Sequence, residues 1–191
     1  RDCNGISLSN SEVVNYRSSS CGVNAVVNLQ LQMVTDITPL CPSQTSACSG
    51  SGNIGFERSV YTGIITLPSG CSDWVLSYSL CCRNGSVTNL TNSGSQDFYI
   101  QTQLNNSLVP CNSSPVFASN PQLFACVGQS INYQQLATDP DGDVLVYSLV
   151  NAQSGLGVNA NYAGGFSGIN PFTVPATINS ATGEISFVPN T

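Results

Sequence analysis

Read for alternation of apolar and polar positions, the chain is a series of short strands. Residues 25–34, Ala-Val-Val-Asn-Leu-Gln-Leu-Gln-Met-Val, alternate cleanly in their second half. That period of two marks a strand with one face in a core and one in water. A strand-like run at 12–17 precedes it. In residues 73–84, Trp74, Leu76, Tyr78, Leu80 and Cys82 share one side, while Val75, Ser77, Ser79, Cys81 and Arg83 share the other. An apolar stripe holding the only Trp predicts the centre of a sandwich core. Residues 54–67 predict two short strands or one bent one, with Glu57, Arg58 and Tyr61 on or near the polar face. Residues 97–104 read as another strand. After a linker at 108–114, strands are expected near 115–117, 131–136, 144–150, 172–178 and 184–188.

Between these runs lie turn formers. Residues 35–53 carry Pro39, Cys41, Pro42, Cys48, Gly50 and Gly52 and predict a loop that a Cys41–Cys48 bridge can staple. Residues 155–168 are rich in Gly and Asn and predict a long surface loop.

The cysteines set the compartment. There are nine, at Cys3, Cys21, Cys41, Cys48, Cys71, Cys81, Cys82, Cys111 and Cys126, and no histidine. Zinc sites draw on His or on paired Cys-x-x-Cys knuckles, and neither occurs. All nine are disulfide candidates, which points to an oxidising, extracellular setting. An odd count leaves one thiol free or paired outside this chain. Neighbours on a strand face opposite ways, so separate partners are expected for Cys81 and Cys82. Cys111 and Cys126 can tie the linker to the strands that follow.

Charge narrows the partners. The net charge is −6, the cations are Arg1, Arg17, Arg58 and Arg83, and charged residues make up 7% of the chain, against roughly 25% in ordinary globular domains. A basic footprint for nucleic acid or anionic lipid is absent. No apolar run is long enough to span a bilayer, so membrane insertion is not expected. The chain begins at Arg1 rather than Met, and the expectation is a processed or excised product.

Three of the ten acidic residues crowd into Asp139-Pro140-Asp141-Gly142-Asp143. Three ionised carboxylates so close repel one another, and a hard divalent cation relieves that repulsion. Calcium suits an all-oxygen shell better than magnesium. Asp139, Asp141 and Asp143 are therefore the metal candidates; the alternative is a solvated turn that binds nothing. An EF-hand is excluded, because its sixth and twelfth positions would hold Val144 and Val150 instead of Gly and Glu.

Enzyme chemistry finds little to work with. Lacking His and Lys, the chain has no Ser-His-Asp, Cys-His or lysine scheme. Neither a Walker loop nor a dinucleotide glycine fingerprint occurs. Gly165-Phe166-Ser167-Gly168 lacks the spacing and base of a nucleophile elbow. Only scattered carboxylates, Asp36, Glu57, Asp73 and Asp97, offer a glycosidase pair. A non-enzyme is expected.

Two resemblances add to this reading. The Ala-Thr-Asp-Pro-Asp-Gly-Asp turn at 137–143, with Ala-Thr-Gly-Glu-Ile-Ser-Phe at 181–187, resembles the turn and closing hairpin of cadherin-like and PKD-like extracellular β-sandwich repeats. The pattern Trp-x-x-x-Tyr-x-x-Cys-Cys-Arg-Asn-Gly at 74–85, followed by Asn89-Leu90, Pro115-Val116-Phe117 and Ala125 to Gln129, is similar to a module of very large surface proteins of gliding Bacteroidota. That family implies type IX export, surface display and modules repeated toward a distal sorting domain. The resulting expectation is an all-β chain of two tandem antiparallel β-sandwich domains. One is a disulfide-rich Ig-like domain over 1–112, the other a PKD/cadherin-like domain over 113–191. Such a repeat normally ends with one more strand, either cut away here or supplied by a neighbour. The expected function is a structural or adhesive, calcium-rigidified module at the cell surface, its partners being neighbouring modules or copies of itself. Two alternatives stand beside it. One is a binding module for surface polysaccharide, using Tyr61, Tyr99 or Tyr162 with the Gly-rich loop; the other is a fibre subunit assembled by strand complementation.

Overall fold

The computed structural model describes residues 9–39, 44–50, 54–68, 70–109, 111–121 and 124–189. Its regular elements are twelve strands and two single helical turns, and every described strand pairing is antiparallel. The chain packs as two compact units. The first takes in the described residues up to Leu76 together with Gln103–Leu108, the second Ser77–Thr102 together with the described residues from Val109.

In the first unit, β1 (Ser11–Ser18) and β2 (Val23–Asp36) form a hairpin with Ser18 opposite Val23 and Ser11 opposite Gln30. The expected alternation is there: along β2, half-buried Ala25, Val27, Leu29 and Leu31 interleave with exposed Asn24, Val26, Asn28 and Gln30. β3 (Glu57–Thr62) continues the meander on β2, with an irregularity between Leu31 and Met33. It is one short strand where 54–67 predicted two or a bent one. The start of β4 (Trp74–Leu80) lies on the other side of β1, giving the order β4-β1-β2-β3. Trp74 is completely buried, as a core residue should be, and its ring centre lies 6.2 Å from that of Tyr16. Removing a side chain of that size from water is worth roughly 3 kcal/mol or more.

In the second unit, β5 (Phe98–Leu104, whose last two residues belong to the first unit) carries β9 (Gln153–Gly155) through a Tyr99–Gln153 pair, and β10 (Val158–Asn159) folds back on β9. The Gly-rich stretch is therefore a hairpin at its start and a loop only afterwards. A three-stranded sheet follows in the order β11 (Thr177–Ile178), β12 (Ile185–Phe187), β7 (Ile131–Tyr133). β6 (Val116–Phe117) pairs with β8 (Ala137–Thr138). The Thr-Gly-Glu-Ile hairpin forms as expected between β11 and β12. Asn179 anchors its turn, its side-chain Oδ1 accepting the N–H groups of Ala181 at 2.9 Å and Thr182 at 3.1 Å. Gly183 there has φ +73, and a Cβ would stand 2.7 Å from Cε1 of Tyr147.

One expected strand does not form. Residues 144–150 keep the alternation, with Leu145, Tyr147 and Leu149 half-buried and Val144 and Val146 90% and 81% exposed. Yet the backbone link described there is a single bond, from Tyr147 N–H to the Ser180 carbonyl at 2.9 Å. Alternation makes a segment fit to be a strand, but a hydrogen-bonded neighbour makes it one.

Candidate functional site

The acidic turn follows β8 and is organised by Asp139. Its Oδ1 accepts the N–H groups of Asp141 at 2.9 Å and Asp143 at 3.3 Å, while its carbonyl accepts from Gly142 at 3.2 Å. Asp141 Oδ2 accepts the Ser113 N–H at 2.5 Å, tying the turn to the segment before β6. These backbone donors take up part of the negative charge for which a cation was expected. The three carboxylates do not bring one oxygen each within 4.8 Å of one another. As folded here they are not a ready-made ion shell; a shared cation would require the side chains to turn inward.

The cysteines sort into three groups. Cys21 and Cys71 are joined, with Cα atoms 5.7 Å apart, and Cys71 is completely buried. Cys81 and Cys82, expected to have separate partners, are joined to each other across a cis peptide bond. The expectation rested on strand alternation, but β4 ends at Leu80, so the pair lies beyond the pleat that would point the two side chains apart. Cys48 is disulfide-bonded, whereas Cys111 and Cys126 carry free, exposed thiols, so no tie joins the linker to the later strands. Cys3 and Cys41 lie outside the described residues. Among the described residues, the one metal-sized group of three is Cys81, Cys82 and Asp97, and its sulfurs are committed to their bond.

Two of the scattered carboxylates are structural clamps. Asp73 accepts from the hydroxyls of Ser18 and Ser20, each at 2.6 Å, and from the N–H groups of Ser19 and Ser20. It thereby fastens the β1–β2 turn to the segment entering β4. The Ser18 and Ser20 hydroxyls, with the backbone donors, hold its carboxyl down to about 2, from an ordinary 3.8. Asp36 is held below its usual range by the Ser46 hydroxyl first, then by the hydroxyl and N–H of Thr38. A carboxyl kept ionised in this way is poorly suited to act as a general acid.

The second unit carries an open cleft of about 780 Å³, a size usual for small-ligand sites. Two sequence-distant stretches build it. Leu90 bridges Tyr162, the Thr91 N–H donates to the Asn161 carbonyl at 2.9 Å, and the Ala163 N–H donates to that of Asn89 at 3.0 Å. Gln96, buried between them, accepts the Asn161 N–H at 2.7 Å and donates to the Asn161 carbonyl at 3.1 Å. Gly168 is needed in the wall, because a Cβ there would lie 2.1 Å from the Val150 carbonyl oxygen.

The cleft gathers Arg83, Phe98, Tyr99, Gln153 and Tyr162. The Tyr162 hydroxyl accepts the Ala152 N–H at 2.9 Å, and that of Tyr99 donates to Gln101 at 3.0 Å. Of the aromatics expected to be exposed, Tyr99 and Tyr162 both line the cleft, but Tyr99 is buried at 9% exposure and Tyr162 is half-buried; Tyr61 lies in the other unit, donating to the Ser9 carbonyl at 3.1 Å. Sequence reading missed Arg83. Its guanidinium donates through Nη2 to the Gln153 carbonyl at 2.7 Å and lies 5.3 Å from the centre of the Phe98 ring. The signal was available: Arg83 is the last basic residue in the chain.

No protein-family model, curated protein or solved structure matches the chain.

Proposed function

We propose that the chain is a non-catalytic structural or adhesive segment of a large extracellular surface protein, of the kind exported by gliding Bacteroidota. In this reading its architecture is Ig-like and then PKD/cadherin-like β-sandwich modules, over 1–112 and 113–191. Residues 77–102, which fall within the first of these modules, pack with the C-terminal unit. The observation that carries the reading is the Cys21–Cys71 bridge, closed around a buried sulfur in an antiparallel all-β, charge-poor chain. Such bridges persist outside the reducing cytoplasm. Neighbouring modules or further copies of the chain are the partners this reading expects.

Calcium belongs to the same proposal. Asp139 Oδ2, Asp141 Oδ1 and the Asp143 carboxylate make no hydrogen bonds to other described residues and are the oxygens that would turn toward an ion. At ten times a dissociation constant in the extracellular range, binding adds about 1.4 kcal/mol to stability. Melting of the full chain is expected to rise by several degrees when calcium replaces chelator, and the rise should vanish when all three Asp are changed to Asn. A wild-type curve indifferent to calcium would remove the ion from the account while leaving the disulfide-stapled module.

A second reading has its own observation. The cleft brings Tyr99, Tyr162 and the Gly-rich stretch together, which supports a polysaccharide-binding role. The half-buried Tyr162 offers an aromatic ring for a sugar to stack on, and side-chain amides hydrogen-bond to hydroxyls.

A further inference from the structure

We propose that the cleft of the second unit takes an acidic saccharide, with the sugar's carboxylate or sulfate seated on Arg83; this rests on the carbohydrate-binding reading of the cleft. Arg83 is the only basic residue in the sequence of its unit, 77–102 and 109–191. Among the described residues no carboxylate pairs with it. Its Nε–H is buried without an acceptor. A guanidinium presents five donors in a rigid fork, and leaving a charged donor buried and unmatched is costly. An anion entering the cleft meets the part of Arg83 that lines it and answers a charge that no carboxylate among the described residues balances.

The surroundings sharpen the ligand class. No acidic residue lines the cleft, so Arg83 is its only charged side chain. In a chain of net charge −6 this is a local positive site in a repelling field, which rewards a ligand with one anionic group over a polyanion. The remaining polar lining is amide, including Gln101, Asn151 and Gln153, beside Tyr99 and Tyr162. Amides and aromatic rings suit a polyhydroxylated ring better than a phosphate cluster, which recruits several cations or a backbone nest.

The test is calorimetric titration of the full, oxidised chain with a neutral-sugar trisaccharide carrying a single galacturonate, and with the methyl ester of that one uronate, which has nearly the same shape and no charge. The expected result is roughly 10- to 100-fold tighter binding of the acid, with the advantage shrinking as salt is added. Arg83→Gln should remove that advantage, and Arg83→Lys should fall between. The wild-type comparison and its salt dependence do not depend on how well the variants fold. Equal binding of acid and ester overturns the role of Arg83 but leaves the carbohydrate reading standing. Binding of neither overturns both, and binding of inorganic phosphate in preference to the sugar acid refutes the saccharide.

Discussion

Removing the Cys21–Cys71 bridge is the perturbation whose size the structure fixes best. The two residues are 50 apart in sequence. Closing a loop of that length in the unfolded chain costs entropy worth about 4 kcal/mol near room temperature, between roughly 3 for a short loop and 4.7 for a long one. Small domains have only about 5–15 kcal/mol of stability in total, so the first unit should lose a large share of it. Cys71 is completely buried, so Cys21→Ala with Cys71→Ala is preferable to serine, which would bury a hydroxyl without a partner. Trp74, the chain's only tryptophan, is buried in the same unit, and its fluorescence reports the unfolding directly. In urea, with a slope of about 2 kcal/mol/M, the midpoint should fall by about 2 M. The slope itself should rise, because the unlinked chain unfolds further. A midpoint within about 0.3 M of wild type would refute the reasoning, showing that the hairpins and the Asp73 clamp hold the unit together without the bridge.

Two further outcomes follow from the same unit-level packing. Because the folded pKa of Asp73 is depressed to about 2 from 3.8, its contribution is complete above 3.8 and is lost as pH falls through about 2. The melting temperature should therefore decline more steeply over that interval for wild type than for Asp73→Asn, and parallel curves would contradict the clamp. Gly183→Ala must adopt φ +73 and press toward the Tyr147 ring, so a loss of about 1–3 kcal/mol in the second unit is expected in thermal melts. A neutral result would mean that the hairpin is not packed on Tyr147.

The strands legible in the sequence are those whose alternation and pairing agree. β2 reads Leu-Gln-Leu-Gln and has β1 and β3 beside it. The β11–β12 hairpin was expected from the resemblance carried by residues 181–187, and Gly183 at φ +73 suits the turn that forms. Residues 144–150 show the limit, since no periodicity says whether a neighbour will supply hydrogen bonds. Cys81 and Cys82 were misread for a related reason: the pleat stops one residue before them. The acidic turn was found, but the backbone donors it accepts, Ser113 above all, are not encoded in its own residues. Least visible was the cleft, because residues 83–101 and 150–171 meet only through the fold. Arg83 was read as a strand residue facing away from the core, while its lack of any carboxylate partner among the described residues emerges only in three dimensions.

The central claim, a disulfide-stapled module displayed outside the cell, is tested most directly by treating intact cells of the source organism with protease and mapping the released peptides without reduction. The account predicts that peptides of this chain are shed from unbroken cells and that Cys21 and Cys71 are recovered joined. Recovery of the chain only after lysis, with both thiols free, would contradict it.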